Sequence, residues 1–217
     1  MYIDLIGAGG FIGQALLKSS DKLNIPLRAW SSKNEEYHFD LYNEISWINL
    51  LNSNPSTVIL ASWPSLPSYK NISHIQKDLP FSLKLIEKLC DFGVTRILIL
   101  GTCYEYGMKS GCLRENINVN PVNFYGIAKN SLRQAATILC EERNVHLIWS
   151  RIFYPYGKDQ RDSSLYNCIM KTIKKKESNI EISDSKIIKD FIEIDLLSEL
   201  ILYLAVADID PGIYNIG

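Results

Sequence analysis

Gly7-Ala8-Gly9-Gly10-Phe11-Ile12-Gly13 follows without a break on the apolar run at residues 2–6 and opens a helix-patterned segment at 12–19. Four of the chain's 12 glycines fall in these seven positions. The crowding has a physical meaning. A tight strand-to-helix turn needs positive φ, and a pyrophosphate needs bare backbone that it can approach closely. The helix beginning near Phe11 then offers unpaired N–H groups and the positive end of its dipole to phosphate. Gly13 lets that helix lie close on the strand. With a strand before it and a helix after it, the turn reads as a dinucleotide cradle made by Gly7, Gly10, Phe11, Ile12 and Gly13.

Outward from this turn, short apolar runs alternate with helix-length segments. Strands are predicted at 2–6, 26–30, 57–61, 96–100 and 146–152, and helices at 12–19, 45–51, 79–92 and 124–143. Several of the strands are almost wholly apolar, as expected when helices cover both faces. The alternation predicts an α/β fold, a Rossmann-like doubly wound parallel sheet. Ligands in such sheets sit beyond the carboxyl ends of the strands, so the residues just after each strand matter most. No internal repeat or low-complexity segment interrupts the pattern. Lys174-Lys175-Lys176 reads as the solvated end of a helix that starts near Ser164.

Composition removes other classes. The 217 residues are 47% hydrophobic and 22% charged, which excludes disorder, collagen and coiled coil. A formal net charge of −1 argues against a nucleic-acid surface. The longest apolar stretch, 194–207, is broken by Asp195 and Glu199 and is too short to span a bilayer. The first ten residues lack the pattern of an export signal. The five cysteines, Cys90, Cys103, Cys112, Cys140 and Cys168, are odd in number and contain no CxxC pair. That predicts reduced thiols, no metal site and a cytoplasmic location. His38, His74 and His146 show no metal spacing and read as surface or packing residues.

Tyr125-Gly126-Ile127-Ala128-Lys129 is a YxxxK motif on a helical stretch, which puts phenol and ammonium on one helix face. That pairing suits proton transfer at a carbonyl. An ammonium and an oxidised nicotinamide lower the phenol's pKa, and the phenol then exchanges a proton with the developing alkoxide. The strand at 96–100 leads into Gly101-Thr102-Cys103-Tyr104-Glu105-Tyr106-Gly107.

The spacing of Gly7, Gly10 and Gly13, with Tyr125 and Lys129, resembles the short-chain dehydrogenase/reductase family. In its extended branch the stretch at 102–107 resembles Ser/Thr-x-x-x-Tyr-Gly, which implies that the Thr102 hydroxyl orients the reacting carbonyl. Phe39-Asp40-Leu41 resembles the Asp-Leu that contacts adenine, so Asp40 and Leu41 join the expected cofactor contacts, as do Ala61 and Ser62. Arg151-Ile152-Phe153-Tyr154-Pro155-Tyr156-Gly157 and Lys189-Asp190-Phe191-Ile192-Glu193-Ile194-Asp195 resemble later motifs of the nucleotide-sugar epimerase/dehydratase branch, the second with Lys for Arg. The resemblance implies catalytic Thr102, Tyr125 and Lys129, and a nucleotide-sugar substrate with no nucleic-acid or membrane partner. Trp63, Cys103, Tyr104, Glu105 and Tyr154 are the expected substrate contacts, with Tyr106 a further candidate.

Within the branch, Cys103-Tyr104 stands where sugar dehydratases resemble one another in carrying an acid pair, so loss of water is not expected. The stretches 61–69, 101–108, 125–133 and 151–157 look most like 4-ketoreductases of 6-deoxyhexose nucleotides, of the dTDP-6-deoxy-L-talose dehydrogenase type. This implies NAD(P)-dependent reduction at C4 of a dTDP-sugar for a surface polysaccharide. A 4-epimerase and a non-catalytic dinucleotide sensor are the alternatives. After the strand at 26–30 come Ser31, Ser32 and Lys33, with no carboxylate to repel a 2′-phosphate, which favours NADP; Glu35 and Glu36 follow closely. Leu132, Ala135, Ala136 and Leu139 form an apolar stripe on the helix of Tyr125 and Lys129, where the family often pairs, implying a homodimer. The expected division is a dinucleotide domain at 1–150 and a partial sugar-nucleotide lobe at 151–217, interleaved with the sheet. Relatives continue past the motif at 214–217, so a truncated chain with weak catalysis is expected.

Overall fold

The computed structural model describes residues 2–176 and 188–217. The chain runs β1 (Ile3–Ile6), α1 (Phe11–Leu23), β2 (Leu27–Trp30), α2 (Trp47–Asn52), β3 (Thr57–Leu60), α3 (Leu79–Asp91), β4 (Arg96–Thr102), α4 (Phe124–Glu142), β5 (His146–Ile152), β6 (Tyr154–Tyr156), α5 (Leu165–Lys175), β7 (Phe191–Glu193), α6 (Ile194–Val206) and β8 (Gly212–Ile216). Three short helical turns matter to the site: Glu44–Ser46, the π-helical turn His74–Asp78, and the 3₁₀ turn Cys103–Tyr106. Among the described residues, no helix is long and apolar enough to cross a membrane.

The main sheet is parallel throughout, in the order β2-β1-β3-β4-β5-β8. The order reverses between β1 and β3, so a crevice opens there beyond the strands' carboxyl ends. A separate pair, β6 with β7, stands outside this sheet. Both faces of the main sheet are covered. One core joins β-strand residues such as Ile6, Val58, Ile97 and Trp149 to Leu85, Ile86 and Leu89 of α3 and Leu132 and Ala136 of α4. The other joins Leu5, Ile59, Leu98 and Ile148 to Leu16 of α1 and Leu197 and Ile201 of α6. This two-sided burial is why the strands read as nearly continuous apolar runs.

The exception is Asp4, buried completely inside β1. Its carboxylate receives two hydrogen bonds from Arg28, at 2.8 and 2.7 Å, and one from Trp30 Nε1 at 2.6 Å. A buried charge persists only with such pairing. Here the pairing ties β1 to β2 and fixes where the second strand ends.

The elements follow the pattern read from sequence with two adjustments. The segment expected as helix from 45 begins instead with the turn Glu44–Ser46, because the Asn43 side chain accepts from Ile45 N–H at 3.2 Å. β4 runs two residues past its expected end, which makes Thr102 the last residue of the strand. The expected division at 150/151 falls inside β5, and β8 pairs with β5 while α6 packs beside α1. Residues 194–216 thus complete the main sheet and its cover. Only β6, α5 and β7 stand apart from it.

Candidate active site

The crevice is built by three strand ends. The first turn after β1 holds Gly7 at φ 95°, where an added Cβ would lie 2.6 Å from Ser62 N. No side chain fits between the turns after β1 and β3, so Gly7 brings Ala61 and Ser62 against the Gly-rich turn. Gly13 is equally constrained, its missing Cβ falling inside contact distance of the Gly7 carbonyl. Gln14 Nε2 braces the turn by donating to Ala8 O at 2.7 Å. The first turn of α1, which includes Phe11, Ile12 and Gly13, starts at Gly10 with no side-chain cap and no acidic residue. By contrast α4, α5 and α6 are capped by the side chains of Asn123, Ser164 and Glu193. The N–H groups of α1 remain available to an anion, which is the donor set a dinucleotide pyrophosphate requires.

Beside this turn lies a cleft of about 590 Å³ lined by Gly9, Gln14, Ser31, Lys33, Asn34 and Glu35. Its rim is held by Asn34, whose amide donates to Ala29 O at 3.0 Å and accepts from Glu36 and Tyr37 N–H. Ser31 and Lys33 line this cleft as the sequence predicts, and exposed Ser32 stands between them. Glu35 faces the same space. Asp40 accepts from Tyr42 N–H at 2.9 Å. The Leu41 side chain is buried in the core, so a nucleotide there would meet its backbone.

Thr102, Tyr125 and Lys129 meet at the carboxyl end of β4. All three are buried, and Thr102 lies beside the Tyr125 phenol. Thr102 also accepts from Tyr104 N–H at 3.3 Å, which starts the 3₁₀ turn. Lys129 Nζ donates to Leu100 O at 2.8 Å and sits 3.9 Å over the ring of Trp63. Burial pushes the Tyr125 phenol upward, against the lowering influence of Thr102. Burial also pulls Lys129 down to about 7, opposed by the fields of Glu105 and Asp78. The sequence argument expected the lysine to depress the tyrosine. In the structure desolvation dominates both groups, because each is fully enclosed.

Aromatic rings wall the space in front of Tyr125. Tyr69 stacks on Tyr104 at 4.9 Å between ring centres, and both rings approach Tyr125. Tyr154 reaches Tyr104 at 6.2 Å and carries Lys189 Nζ over its ring at 4.4 Å. Tyr69 and Tyr104, with Ser68, Lys70, Asn71 and Asn123, line a second cleft of about 460 Å³. Burial pushes the Cys103 thiol up to about 11, against the lowering influence of Tyr154 and Thr102 beside it. Burial pushes the Tyr154 phenol up to about 12 and the Tyr104 phenol higher still.

Two expected pocket residues belong elsewhere. Glu105 is wholly buried, accepting from Thr102 N–H at 3.0 Å, Trp149 Nε1 at 2.9 Å and Arg151 Nε at 2.8 Å. It organises the strand end and does not face substrate. Tyr106 is likewise buried; its hydroxyl donates to Asn215 Oδ1 at 2.8 Å or Arg114 O at 3.1 Å and accepts from Arg151 Nη1. The sequence reading passed over Tyr69, Asn123, Gln14 and Asp78, and took His74 for a surface or packing residue without its pairing to Asp78. Only that pairing had a readable signal, an i,i+4 spacing of His and Asp.

Residues 3–217 match the model of the "NAD dependent epimerase/dehydratase family". A curated protein from Aggregatibacter actinomycetemcomitans, a "dTDP-6-deoxy-L-talose 4-dehydrogenase (NAD(+))", is 26% identical, the match covering 99% of this chain and 83% of that protein. Two solved structures share the fold over the whole chain. A UDP-glucose 4-epimerase from Thermotoga maritima has a TM-score of 0.86 at 20% identity, with 77% of its length covered. A UDP-glucose 4-epimerase from Thermus thermophilus, in complex with NAD, has a TM-score of 0.81 at 16% identity, with 78% covered.

The enclosed lysine has a measurable signature. Its folded-state pKa of about 7 lies below the ordinary 10.5. Between these values the unfolded chain binds more protons, so this residue makes stability rise with pH and opposes folding fully below about pH 7. Lys129→Met is expected to stabilise the protein most near pH 7 and progressively less toward about pH 10. Urea midpoints of the two proteins across that range give the difference, and a constant gap would contradict the buried ammonium.

Proposed function

The chain belongs to the NAD dependent epimerase/dehydratase family and is an NAD(P)-dependent enzyme, and from that membership we propose that it reduces a 4-keto group on a nucleotide-activated 6-deoxyhexose. The observation that carries this reading is the burial of Thr102, Tyr125 and Lys129 together at the end of β4, with aromatic walls in front. Bound NAD(P)H supplies the hydride. The rest falls to the chain. Thr102 polarises the carbonyl oxygen, and Tyr125 gives its proton to the alkoxide that forms there. Lys129 anchors the ribose and favours the phenolate that Tyr125 becomes.

The surroundings support this choice within the family. Cys103 and Tyr104 keep their protons at neutral pH, so neither serves as the base that loss of water demands. Walls of Trp63, Tyr69, Tyr104 and Tyr154 suit a sugar whose C6 is a methyl group. The dTDP-sugar named for the relative is the substrate we propose, made in the cytoplasm for a surface polysaccharide. A nucleotide-sugar 4-epimerase is the second reading, since the two structural relatives have that activity. It would interconvert sugars without net use of cofactor. A cofactor sensor without activity would lack Tyr125 or Lys129, and this chain keeps both.

Incubation with a dTDP-4-keto-6-deoxyhexose and reduced cofactor, followed at the nicotinamide absorbance band, tests the reading. Stoichiometric loss of absorbance is expected, and a Tyr125→Phe variant should turn over at least about 10²-fold more slowly while still binding cofactor. Near-normal turnover in that variant would remove Tyr125 from the mechanism.

For the cofactor, we propose NADP. β2 ends at Trp30, so Ser31, Ser32 and Lys33 follow it, and two hydroxyls with an ammonium suit a 2′-phosphate. Glu35 on the same rim opposes this and is the group that NAD would use through its ribose 2′-OH. Lys33→Ala should raise KM for NADPH several-fold and leave KM for NADH nearly unchanged. Tighter binding of NAD than NADP by the unaltered protein would reverse the assignment.

The stripe of Leu132, Ala136 and Leu139 packs into the chain's own core, so it does not supply the expected pairing surface; a homodimer would use the opposite face of α4. Ile127 and Ile138 of α4 are exposed, as is Phe92 at the end of α3. Pairing of two copies through α3 and α4 would cover them. Sedimentation should give twice the chain mass, reduced to one chain by Ile138→Glu; a monomeric unaltered protein refutes the pairing.

A further inference from the structure

Behind Lys129 lies a buried polar chain that the reaction described above does not use. His74 and Asp78, on the π-helical turn, are both fully buried. His74 Nε2 lies 3.0 Å from Ser68 O, a pure acceptor, so this nitrogen carries a proton. His74 Nδ1 lies 2.9 Å from Trp63 Nε1, a pure donor, and 3.0 Å from Asp78 Oδ2. Asp78 Oδ1 accepts from the hydroxyl of Tyr42, whose phenol is pushed up to about 12 by burial and by this carboxylate. The Trp63 ring that ends the chain is the surface on which Lys129 Nζ rests.

The charge inventory singles out one member. Two carboxylates favour the charged form of Lys129, Glu105 first and Asp78 second. Glu105 is already held by Arg151 at 2.8 Å, with Arg133 Nε at 3.8 Å. Asp78 has no guanidinium or ammonium of its own; its neighbours are a phenol and an imidazole. The other charged group near this turn, Lys77, is exposed and stands 6.0 Å over the outer face of Tyr42. From α4, the titratable neighbour of Lys129 is Tyr125. His74 Nδ1 thus stands between the Trp63 N–H and the Asp78 carboxylate and joins the two.

We propose that Asp78, braced by Tyr42, His74 and Trp63, is the buried counter-charge that seats the Lys129 ammonium, and is thus a positioning residue for the reaction. The inference rests on the reading of Lys129 as the ribose anchor and partner of Tyr125. It assigns a role to Tyr42, His74 and Asp78, none of which is among the residues assigned above to substrate or cofactor. Removing the carboxylate should leave the enclosed ammonium with Glu105 as its remaining counter-charge and Leu100 O as its acceptor, so that it loses its proton more readily.

The test reads Lys129 directly in the full chain. Lysine labelled with ¹³C at Cε is titrated by NMR, the Lys129 resonance being identified by its loss in Lys129→Met. Asp78→Asn should lower the Lys129 midpoint by about one pH unit, the scale of a buried charge a few residues' width away. Asp78→Glu should restore most of it. An unmoved midpoint in Asp78→Asn overturns the proposal. If that variant fails to fold, Lys129→Met added to it should recover folding, because the enclosed ammonium is then gone; an unfolded double variant also overturns the proposal. In the ketoreductase assay, Asp78→Asn should lower kcat with KM for the dTDP-sugar nearly unchanged. The NMR midpoint does not depend on turnover. A protein inactive on the sugar but with the expected shift therefore counts against the proposed substrate and not against the role of Asp78.

Discussion

The carboxylate of Glu105 is the constraint on which the site depends. It gathers Thr102 N–H from β4, Trp149 and Arg151 from β5, and lies at the centre of the 3₁₀ turn that leads away from the strand. Gly101 is glycine for the same reason, since a Cβ there would collide with Trp149 and the Glu105 carboxylate. A buried carboxylate with three donors and a guanidinium partner is satisfied, and its partners are fixed in turn. The consequence reaches the chemistry. Thr102 is held at the last position of β4 beside Tyr125, and the strand end cannot rotate without breaking all of these bonds together.

A second rigid point lies across the crevice, and it is made of backbone. Gly7 and Gly13 allow β1, α1 and the turn after β3 to approach to distances that exclude any side chain. The sheet order reverses at this place, so neighbouring crossovers diverge and leave the α1 N-terminus open. The phosphate site and the catalytic site are thus made by different means. One is a gap enforced by missing Cβ atoms. The other is a set of side chains fixed by a buried charge. Both sit on strand ends of one sheet, which holds the distance between them.

Local signals carried most of the architecture. Glycine spacing after an apolar strand, the run lengths, and Tyr and Lys four apart located five strands, four helices and the groups of the catalytic cluster. They worked because each depends on residues adjacent in the chain. What escaped depends on long-range pairing. Glu105 looked like a pocket residue because its neighbours Cys103 and Tyr104 are, and its true partners lie at 149 and 151, in another strand. Leu41 sits in a stretch resembling an adenine contact, but its side chain completes the core with Trp47 and Phe39. The interleaving expected of the segment after 150 takes the form of β8 pairing with β5. Nothing local in the segment 194–216 says that it returns to the far edge of the sheet and covers α1.

Desolvation bears on the direction of the chemistry. Enclosure raises the Tyr125 phenol and lowers Lys129 to about 7, so it disfavours the charged form of each. A phenol that holds its proton firmly is a donor waiting for a base, and an alkoxide formed by hydride arrival at a ketone is such a base. The reverse reaction needs Tyr125 as phenolate before hydride leaves, and that state requires nearby positive charge to offset burial. Lys129 contributes that charge only while its own proton is retained, near neutral pH or below. On the ketoreductase reading we propose, enclosure of this pair favours reduction of a carbonyl, and the carboxylates around Lys129, Glu105 first and Asp78 second, oppose the loss of its proton.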